Sequence, residues 1–467
     1  MNKNINRRKF VKNSLNSLFS LGLVSCLPNK IIDNFDLNNI SSTNNFSKGK
    51  KVCIIGAGMA GISAAYHLQK QGGFDVTVFE ARDRLGGRVF SKNSPDGVIA
   101  EIGANWIHGH KNNPLIDLCD KFGYTHLNTY DEEFIPLFSK GNWLDKDTVE
   151  DLREEYEKYI HYATSSKNSN LSVEELFWQK AGNSKNKDIL KHLLRTSFTE
   201  EYAAEANLVT AKVSEMDDSF KGGNHVILQG YSRLIESLAS GVNYKLNTIV
   251  KRILYKKNTV QIQTLDNSYN FDFCIVTVPL GVLKNKSIEF LPSLPDTKLN
   301  SINKIGFGHF AKLIVTFPES FWDIDPYFIE YFDNNDKRIA AFFNAYKATN
   351  KNTLIAIAGG KNALEWQSQG LDNMVERFVQ QLKLMYKKNI PTPTSAYLSE
   401  WSKDPYSLGA YSYLANGSTI KDIENLAKPV DNTIFFAGEA CHSTHMSTVH
   451  GAYISGIDVS KKLITLK

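Results

Sequence analysis

A glycine-rich turn followed by one acidic residue is the first feature of the sequence with the residue types of a binding site. Gly56, Gly58 and Gly61 give the pattern G-x-G-x-x-G directly after the apolar run 52–55. In this pattern the first glycine permits a tight turn, the second lets the backbone approach a pyrophosphate, and the third lets a helix pack on a strand. Glu80 lies about 20 residues further on, where a carboxylate accepts hydrogen bonds from a ribose. The spacing predicts a site for a dinucleotide without a 2′-phosphate.

A lysine inside an apolar strand is the second feature that could take part in chemistry. Lys312 lies in the middle of the run 310–317, and successive residues of a strand point to opposite faces. A lysine that faces solvent on a half-exposed strand is the structural alternative. A lysine between two apolar faces needs a reason, so a functional role is the other interpretation. Both faces of the run are apolar, with the neighbours Phe310, Ala311, Leu313, Ile314 and Val315.

The elements that must position these residues begin with a βαβ unit. Apolar runs at 52–55 and 76–79 predict two buried strands, and the helix-forming residues 60–71 predict the helix between them. The apolar run 271–278, which ends before a proline, predicts a further buried parallel strand. The fold class is therefore α/β, with a Rossmann-like parallel sheet.

Other segments predict the elements around that sheet. Apolar residues at helical spacing predict amphipathic helices over 144–163, around 172–180 and over 371–388. The segment 244–264 alternates apolar and polar residues about a Lys-Lys-Asn turn, which predicts a hairpin.

Composition and charge exclude several classes of protein. The 467 residues, of which 42% are apolar and 22% charged, predict a globular protein of two domains. The formal net charge is +5, and the five lysines and arginines among residues 3–12 account for a charge of that size. The rest of the chain is then neutral, so we expect no nucleic acid as a partner. The five cysteines form no C-x-x-C pair, so we predict no metal site.

The N-terminus has the features of an export signal. Residues 6–12 resemble a twin-arginine signal, and residues 23–26 resemble a lipobox with Cys26 as the acylated residue. We expect a signal over 1–26, a linker over 27–49, and export by the twin-arginine machinery to the periplasm as a lipid-anchored protein. That route exports folded proteins, which suits a chain that binds a non-covalent cofactor. A basic N-terminus without this function is the alternative.

The residues after the second predicted strand connect the dinucleotide site to a known family. The segment 80–88 reads E-A-R-D-R-L-G-G-R, with Arg82, Arg84 and Arg88 around a second glycine pair. It resembles the signature of the flavin-dependent amine oxidase family, which includes monoamine and polyamine oxidases, L-amino acid oxidases and flavin histone demethylases. In that family the glycine pair and its arginines lie against the FAD pyrophosphate. The resemblance implies FAD as the cofactor, and it extends from residue 50 to the end of the chain.

Further motifs of the family occur in the same order. The segment 100–109, A-E-I-G-A-N-W-I-H-G, is similar to polyamine oxidases, in which its Gly-Ala backbone lies beside the flavin. The segments 434–439 and 446–452 resemble the strand that ends in a cofactor-binding acid and the start of the last helix, whose N–H groups point at the flavin. The resemblance implies the cofactor-binding residues Gly56, Gly58, Met59, Ala60, Gly61, Glu80, Ala81, Arg82, Gly87, Arg88, Gly103, Ala104, Asn105, Trp106, Val250, Trp401, Gly438, Glu439, Thr448 and Val449.

The resemblance also implies residues on the substrate side of the flavin. Lys312 would be joined through a water to flavin N5, and Tyr411 would form one wall of an aromatic cage, so these two are the expected catalytic residues. Thr448 stands where plant polyamine oxidases and monoamine oxidases carry the second cage tyrosine, so the resemblance implies half of the cage; with His108, Thr448 is expected to bind substrate. Ala410 stands where monoamine oxidases attach FAD through a cysteine, which implies a non-covalent cofactor.

An acidic residue in the segment 199–205 is a further expectation, because polyamine oxidases bind a distal ammonium near this position. Glu201 and Glu205 are the candidates, and Glu201 is the predicted substrate-binding residue. A solvated helix face is the alternative for both glutamates. A histidine that is satisfied within a turn is the alternative for His108.

The architecture of the family implies two domains that interleave along the chain. The FAD-binding domain would comprise 50–105, 222–295 and 396–467. The substrate-binding domain, a mixed sheet with helices, would comprise 106–221 and 296–395.

The implied activity is oxidation of a small-molecule amine by O2. Hydride would pass from the amine carbon to flavin N5, and O2 would reoxidise the flavin with release of hydrogen peroxide. Hydrolysis of the imine would give an aldehyde and a smaller amine. A polyamine is the first expectation for the substrate, before an L-amino acid and then a monoamine. A flavin-binding partner protein without turnover and an NAD-linked dehydrogenase are the alternatives from other classes.

Overall fold

The computed structural model describes residues 49–129, 134–165, 170–216, 220–333 and 339–466. The predicted export signal, Cys26 and the predicted linker up to residue 48 lie outside the described residues. Within the described ranges, no helix combines the length and the apolar character that crossing a bilayer requires.

Strands and helices alternate along the described chain. Its strands are β1 (Lys50–Ile55), β2 (Phe74–Phe79), β3 (Ser91–Asn93), β4 (Ile99–Glu101), β5 (His126–Asn128), β6 (Leu137–Ser139), β7 (Asn142–Trp143), β8 (His225–Ile227), β9 (Tyr244–Lys245), β10 (Val250–Lys256), β11 (Thr259–Thr264), β12 (Ser268–Phe271), β13 (Phe273–Val276), β14 (Glu289–Leu291), β15 (Gly306–Phe307), β16 (Phe310–Thr316), β17 (Phe328–Phe332), β18 (Ala341–Asn344), β19 (Thr353–Gly359), β20 (Ser395–Leu398), β21 (Ser412–Tyr413) and β22 (Ile434–Phe436). Its helices are α1 (Met59–Gln71), α2 (Pro114–Phe122), α3 (Lys146–Thr164), α4 (Val173–Ala181), α5 (Lys187–Leu193), α6 (Glu200–Tyr202), α7 (Tyr231–Leu238), α8 (Leu280–Lys284), α9 (Asp296–Lys304), α10 (Tyr346–Thr349), α11 (Gly360–Gln369), α12 (Leu371–Tyr386), α13 (Ile420–Ala427) and α14 (Val449–Thr465). A π-helical segment (Leu194–Thr199) separates α5 from α6.

A five-stranded parallel sheet forms the first half of the fold, with the strand order β22-β13-β1-β2-β9. Every pairing in this sheet is parallel, and Val52 of β1 lies between Phe273 of β13 and Val76 of β2. Buried side chains cover both faces of the central strands, which explains why their sequence is continuously apolar. The predicted Rossmann-like α/β sheet is therefore confirmed.

Helices α1 and α14 pack on one face of this sheet, although they lie far apart in sequence. They approach closely because Gly456 lies against Ala60, where a Cβ would overlap the Ala60 carbonyl oxygen. The Ser63 hydroxyl also donates to the Tyr453 carbonyl at 3.0 Å. Each helix follows a parallel strand, so both helices begin at the carboxyl edge of the sheet, where α/β proteins bind ligands.

A seven-stranded mixed sheet forms the second half, with the strand order β20-β16-β19-β18-β17-β6-β7. Strand β16 pairs antiparallel with β19 and β20, and Lys312 lies opposite Ile357. Helices α11 and α12 cover one face of the sheet, with Phe378 of α12 fully buried there. On the other face Ile314 packs in one cluster with Trp401. Side chains from both halves therefore meet on this second face.

A buried ion pair ties α3 to the second sheet. Arg153 Nη2 lies 2.9 Å from Glu330 Oε2 of β17, and Glu330 is 5% exposed. Burial raises the pKa of Glu330, but the charge of Arg153 and the nearby His192 ring, 3.8 Å away, outweigh it, so its pKa lies below the usual value. Glu330 is therefore a charged residue inside the protein.

The structure confirms the three predicted amphipathic helices as α3, α4 and α12, with ends that differ by up to two residues. The segment 244–264 is not one hairpin. Tyr244 and Lys245 form β9, which pairs in parallel with β2, and only β10 and β11 form the hairpin. The alternation of the segment continues across both pieces, so the sequence did not reveal that they belong to different sheets.

The predicted domain boundaries remain predictions, and two contacts bear on them. Residues 395–398 form β20 and pair with β16, so the second sheet extends past residue 395. Helix α2 buries Leu115 and Cys119 in the core of the parallel sheet, although it follows residue 106.

Candidate active site

The first glycine turn lies between β1 and α1, at the carboxyl edge of the parallel sheet. Gly56 has a φ of +105°, and a Cβ at Gly61 would overlap the Gly56 carbonyl oxygen. A Cβ at Gly58 would meet only the Gly86 oxygen, at 3.9 Å, so the space in front of Gly58 is open. Helix α1 has no side-chain cap and no acidic residue in its first turn. Its first N–H groups are therefore suited to an anionic ligand.

The acid at the end of β2 is fixed by backbone N–H groups. Glu80 Oε2 accepts from Ala57 N at 2.8 Å, and Glu80 Oε1 accepts from Arg82 N at 2.9 Å. Glu80 is 4% exposed, and the next residue, Ala81, is half-buried. Each carboxylate oxygen keeps a second lone pair, so Glu80 retains the capacity to accept from a ribose.

Two of the predicted arginines bind acids from C-terminal segments. Arg82 Nη2 lies 2.7 Å from Asp404 Oδ1. Arg88 Nη1 donates to Glu439 Oε1 at 2.9 Å and to the Ala410 carbonyl at 2.6 Å. These bonds bring the predicted residues Arg82, Arg88 and Glu439 into one region, and they compensate the arginine charges. Direct contact with a pyrophosphate stays a prediction.

The second glycine pair, Gly86 and Gly87, lies against the first glycine turn. Gly86 N donates to the Ala57 carbonyl at 2.9 Å, and Gly86 and Gly87 have φ values of +94° and +57°. Arg84 stabilises this turn, since its guanidinium donates to the Gly87 carbonyl at 2.9 Å and lies 3.7 Å from the centre of the Phe90 ring. The glycines are required here because a side chain disfavours these positive φ values.

The C-terminal motif reaches the same edge of the sheet. A Cβ at Gly438 would have no atom within 4 Å, so this position is open like Gly58. Glu439 Oε2 accepts from Ser412 N at 3.3 Å and from Ser447 N at 3.2 Å. Helix α14 begins at Val449, directly after this region.

Thr448 is the N-cap residue of α14. Its hydroxyl oxygen accepts from Gly451 N at 2.9 Å and donates to the His445 carbonyl at 2.8 Å. The first of these bonds satisfies a free N–H group of the first turn of the helix. Its predicted contacts with substrate and with the cofactor stay predictions.

The segment 100–109 lies against the arginine turn. Ala104 N donates to the Arg88 carbonyl at 3.1 Å, and a Cβ at Gly103 would overlap that carbonyl. Asn105 is buried next to them. The Trp106 ring lies 5.4 Å from the Phe343 ring of the second sheet, which makes Trp106 a packing residue.

Two further predicted cofactor residues lie in buried positions. Trp401 donates from Nε1 to the Ile102 carbonyl at 3.1 Å, which fixes the 401–412 loop beside the 100–109 segment. Val250 begins β10 and pairs with Thr264. Their contacts with the cofactor stay predictions, as do those of Met59 and Ala60 in the first turn of α1.

Lys312 is buried in the centre of β16 with 3% exposure, so the solvent-facing alternative is wrong. Within the described residues, no group forms a hydrogen bond with its Nζ. Burial lowers the pKa of Lys312 to about 8, while the Glu101 charge opposes this shift. Its strand neighbour Phe310 contacts the Tyr411 ring at 5.8 Å, so the two predicted catalytic residues flank the same aromatic side chain.

Tyr411 is anchored by a residue that the sequence did not single out. Its hydroxyl donates to the Glu200 carbonyl at 2.8 Å. Burial raises the pKa of Tyr411, and the charges of Glu201 and Glu200 raise it further. The Glu200 side chain is 7% exposed, and burial raises its pKa well above the usual value, which favours its neutral form.

Glu201 and Glu205, the two acids predicted in the segment 199–205, differ in their surroundings. Glu205 Oε1 accepts from Lys361 N at 2.6 Å in the first turn of α11, so its side chain caps that helix. Glu201 is half-buried and close enough to act on Tyr411, and its substrate-binding role stays a prediction. The sequence missed Glu200 because the π-helical segment before it changes the phase of the helix.

His108 has a partner inside the protein. Its Nδ1 lies 3.3 Å from Asn224 Oδ1, as expected for a satisfied histidine. Burial lowers the pKa of His108, although the Asn224 bond opposes this, so the ring is neutral near pH 7. Contact with substrate stays a prediction for this residue.

The positions above fit an FAD molecule at the carboxyl edge of the parallel sheet. Open space lies in front of Gly58 and Gly438, two helices begin there, and a buried carboxylate closes β2. These are the features that bind phosphates, a ribose and a reduced flavin ring. The described residues contain no cluster of ligands for a metal ion. Fold and site together define a dinucleotide-binding flavoprotein with a second, mixed-sheet half.

The family follows from comparison with known proteins. A family model described as flavin containing amine oxidoreductase matches residues 59–464. The chain belongs to the flavin-containing amine oxidoreductase family, so it is a flavin-dependent amine oxidase with FAD as its cofactor. Ala410 offers no sulfur for a covalent bond to FAD.

The chain is similar both to proteins named polyamine oxidases and to a protein named as a histone demethylase homologue. It is 33% identical over 430 residues to polyamine oxidase 4 of Oryza sativa subsp. japonica, with 87% of each chain covered. It is 31% identical over 433 residues to polyamine oxidase 2 of Arabidopsis thaliana, covering 88% of this chain and 87% of that one. It is 32% identical over 499 residues to lysine-specific histone demethylase 1 homolog 3 of Arabidopsis thaliana, but spans 30% of that protein's length.

Solved structures share the fold. The structure of wild-type putrescine oxidase bound to putrescine superposes with a TM-score of 0.73 at 18% identity. The match covers 89% of this chain and 99% of that one. At this level of identity the likeness supports the fold alone.

Proposed function

We propose that the chain oxidises a polyamine. Relatives that are named polyamine oxidases match it over 87% of their own length, whereas the demethylase homologue extends far beyond the matched region. A solved structure of the same fold carries putrescine, which is a diamine. The proposal adds a substrate class to the family's oxidation of amines.

Acidic groups beside an aromatic wall carry this proposal. The Tyr411 ring contacts Phe310, and the charge of Glu201 acts on the Tyr411 hydroxyl. A polyamine consists of ammonium groups joined by methylene chains. The wall suits a methylene chain, and a nearby carboxylate suits the distal ammonium. Glu201 is the acid that we assign to this task, since Glu205 caps α11.

The residues of the chain position the amine and supply charge. The glycine turns, Glu80 and the first turn of α14 would hold FAD, which would supply the hydride acceptor for the amine and the route of its electrons to O2, with hydrogen peroxide as the product. The aromatic rings of Phe310 and Tyr411 would favour the neutral amine, the form that can lose hydride. Lys312 holds a positive charge near the place where negative charge develops on oxygen. The first turn of α14 presents free N–H groups to negative charge on the ring.

A substrate panel tests the proposal. Purified protein is assayed for hydrogen peroxide with spermine, spermidine, putrescine, tyramine, leucine and a methyl-lysine peptide. We expect the highest kcat/KM with spermine or spermidine. A higher value with tyramine, leucine or the peptide would contradict the polyamine assignment.

We also propose that the chain is exported by the twin-arginine route and anchored through Cys26. The support is the sequence of residues 6–12 and 23–26. The test is fractionation of cells that express the full chain. Replacing Arg7 and Arg8 by lysine should retain the protein in the cytoplasm, and Cys26→Ser should release it from the membrane fraction. Unchanged fractionation of both variants would refute the route.

A further inference from the structure

Several segments of the proposed amine site meet at two residues directly before β16, Gly308 and His309. Gly308 N donates to the Tyr411 carbonyl at 2.7 Å, and Ala410 N donates to the Gly308 carbonyl at 2.8 Å. His309 N donates at 2.8 Å to the carbonyl of Ala203, the residue after the acidic helix α6. The tyrosine wall and the acidic helix are therefore both bonded to the chain at the start of β16.

The His309 side chain adds a bond to the loop that carries Tyr411. Its Nδ1 lies 2.8 Å from Ser402 Oγ, so the two side chains form a hydrogen bond. Ser402 N donates to Gln367 Oε1 of α11 at 3.2 Å, and Gly360 N, at the start of α11, donates to the His309 carbonyl at 2.8 Å. The beginning of the loop is therefore bonded both to His309 and to the helix beside it.

The His309 ring lies behind the aromatic wall and is not part of it. The antiparallel ladder of β16 and β19 continues to His309 through the Gly360 bond. Because successive residues of a strand point to opposite faces, His309 shares a face with Ala311, which packs in the core with α11 and α12. Phe310 lies on the other face, against the Tyr411 ring. The histidine can therefore hold the wall without touching the substrate.

We propose that His309 is a positioning residue of the amine site, whose bond to Ser402 fixes the loop 401–411, and with it Tyr411, against Phe310. The inference rests on the proposed function, in which the Tyr411 and Phe310 rings orient the amine. The reaction requires the amine carbon to be held in one orientation. A loosened wall should therefore slow the chemical step more than it weakens binding of the amine.

The first test needs no substrate. Amide hydrogen exchange of the holoprotein is followed by mass spectrometry in peptides that cover residues 401–411. His309→Leu and Ser402→Ala each remove the side-chain bond, and each should speed exchange in these peptides about fivefold, because the loop opens more often. His309→Asn keeps a polar side chain that can bond to the Ser402 hydroxyl, and it should restore most of the protection.

The second test measures anaerobic reduction of the flavin by spermidine. In His309→Leu and in Ser402→Ala the limiting rate should fall about tenfold, while the spermidine concentration that gives half of this rate should change less than about twofold. His309→Asn should stay within about threefold of the wild-type rate. The double variant should be no slower than either single variant, because both changes remove the same bond.

Thr316→Val is the matched control. Thr316 Oγ1 lies 3.0 Å from Thr353 Oγ1, so this variant also removes a side-chain hydrogen bond, but at the opposite end of β16. It should lower the thermal stability of the protein. Exchange in the peptides 401–411 and the limiting rate of flavin reduction should both stay at the wild-type value.

The outcomes separate this inference from the proposed function. Unchanged exchange in His309→Leu and Ser402→Ala would overturn the inference, as would faster exchange with a normal limiting rate or equal slowing in Thr316→Val. If spermidine does not reduce the flavin but tyramine or leucine does, the same pattern with that amine supports the inference and refutes the substrate. If His309→Leu does not fold, Ser402→Ala carries both tests, because it removes the same bond by a smaller change.

Discussion

A buried ammonium group needs a partner or a function, because burial disfavours its charge. Lys312 has 3% exposure, and within the described residues its Nζ forms no hydrogen bond. Structural lysines in the same protein look different: Lys298 is equally buried, but its Nζ donates to three carbonyls near the end of α13. The contrast singles out Lys312 as the lysine whose donors remain for a ligand or a water.

Replacing Lys312 by methionine should slow the reaction of the reduced enzyme with O2 by about a hundredfold, because a charge aimed at a developing anion is lost. Reduction by the amine should change much less. In the wild-type protein the O2 reaction should be fast below pH 8 and decline as the pH rises through the Lys312 pKa of about 8. Stopped-flow measurement of both half-reactions checks this, and equal slowing of the two would contradict it.

Two neighbouring glutamates should respond in opposite ways. Glu201→Gln removes a charge beside Tyr411 and should raise the KM for spermidine about tenfold. A tenfold change corresponds to about 1.4 kcal/mol of binding free energy. Glu200→Gln should have a smaller effect, because burial raises the pKa of the Glu200 carboxyl and favours its neutral form, so the KM should stay within about twofold of wild type. Steady-state kinetics of both variants decide the point. A larger effect of Glu200→Gln would mean that Glu200, and not Glu201, binds the distal ammonium.

At the scale of elements, the site depends on two strand–turn–helix units that end at one edge of the sheet. Helix α1 follows β1 and helix α14 follows β22 closely, and the two helices contact through Gly456 and Ala60. The parallel pairing of their strands fixes where both helices start. The helix starts are therefore positioned by the fold, before any ligand binds.

The glycines of the first turn should separate folding from cofactor binding. Gly61→Ala places a Cβ in the Gly56 carbonyl and should destabilise the protein by more than about 3 kcal/mol. Gly58→Ala has room for its Cβ, so the protein should fold with nearly normal stability and bind FAD more weakly. Thermal unfolding of the apoprotein and the flavin content of purified protein are the two readouts. Normal flavin content in Gly58→Ala would contradict the assigned role of this glycine.

The ion pair between α3 and β17 should contribute to stability in a pH-dependent way. Glu330→Leu leaves Arg153 without its partner and should cost about 3 kcal/mol in the free energy of unfolding. The double variant Arg153→Met, Glu330→Leu should recover part of the loss. Because the folded state lowers the Glu330 pKa, this contribution is present above the unfolded pKa and is lost as the pH falls through the folded one. Urea unfolding at several pH values measures it; a flat response across acidic pH would refute the pair's contribution.

At the scale of the whole molecule, local sequence patterns were enough to predict the parallel sheet and the edge of it that binds the cofactor. The glycine turn, Glu80 and the apolar strands predicted β1, α1 and β2, because each follows from short-range spacing. The sequence could not show that Tyr244 leaves the hairpin for the parallel sheet, since register depends on distant strands.

In the site, too, local features could be predicted from the sequence, whereas features that depend on distant residues could not. The burial of Lys312 was predictable, because both faces of its strand are apolar. The capping bond of Thr448 was not, since it depends on where α14 begins. Glu200 was also missed, because its partner Tyr411 lies 211 residues away.

Anaerobic addition of spermidine to the purified protein tests the central claim most directly. The protein should be yellow as isolated, and spermidine should bleach its long-wavelength flavin absorbance until O2 is admitted. Tyramine and leucine at the same concentration should bleach it far more slowly. A colourless protein, or a yellow one that no amine bleaches, would contradict the account of a flavin-dependent polyamine oxidase.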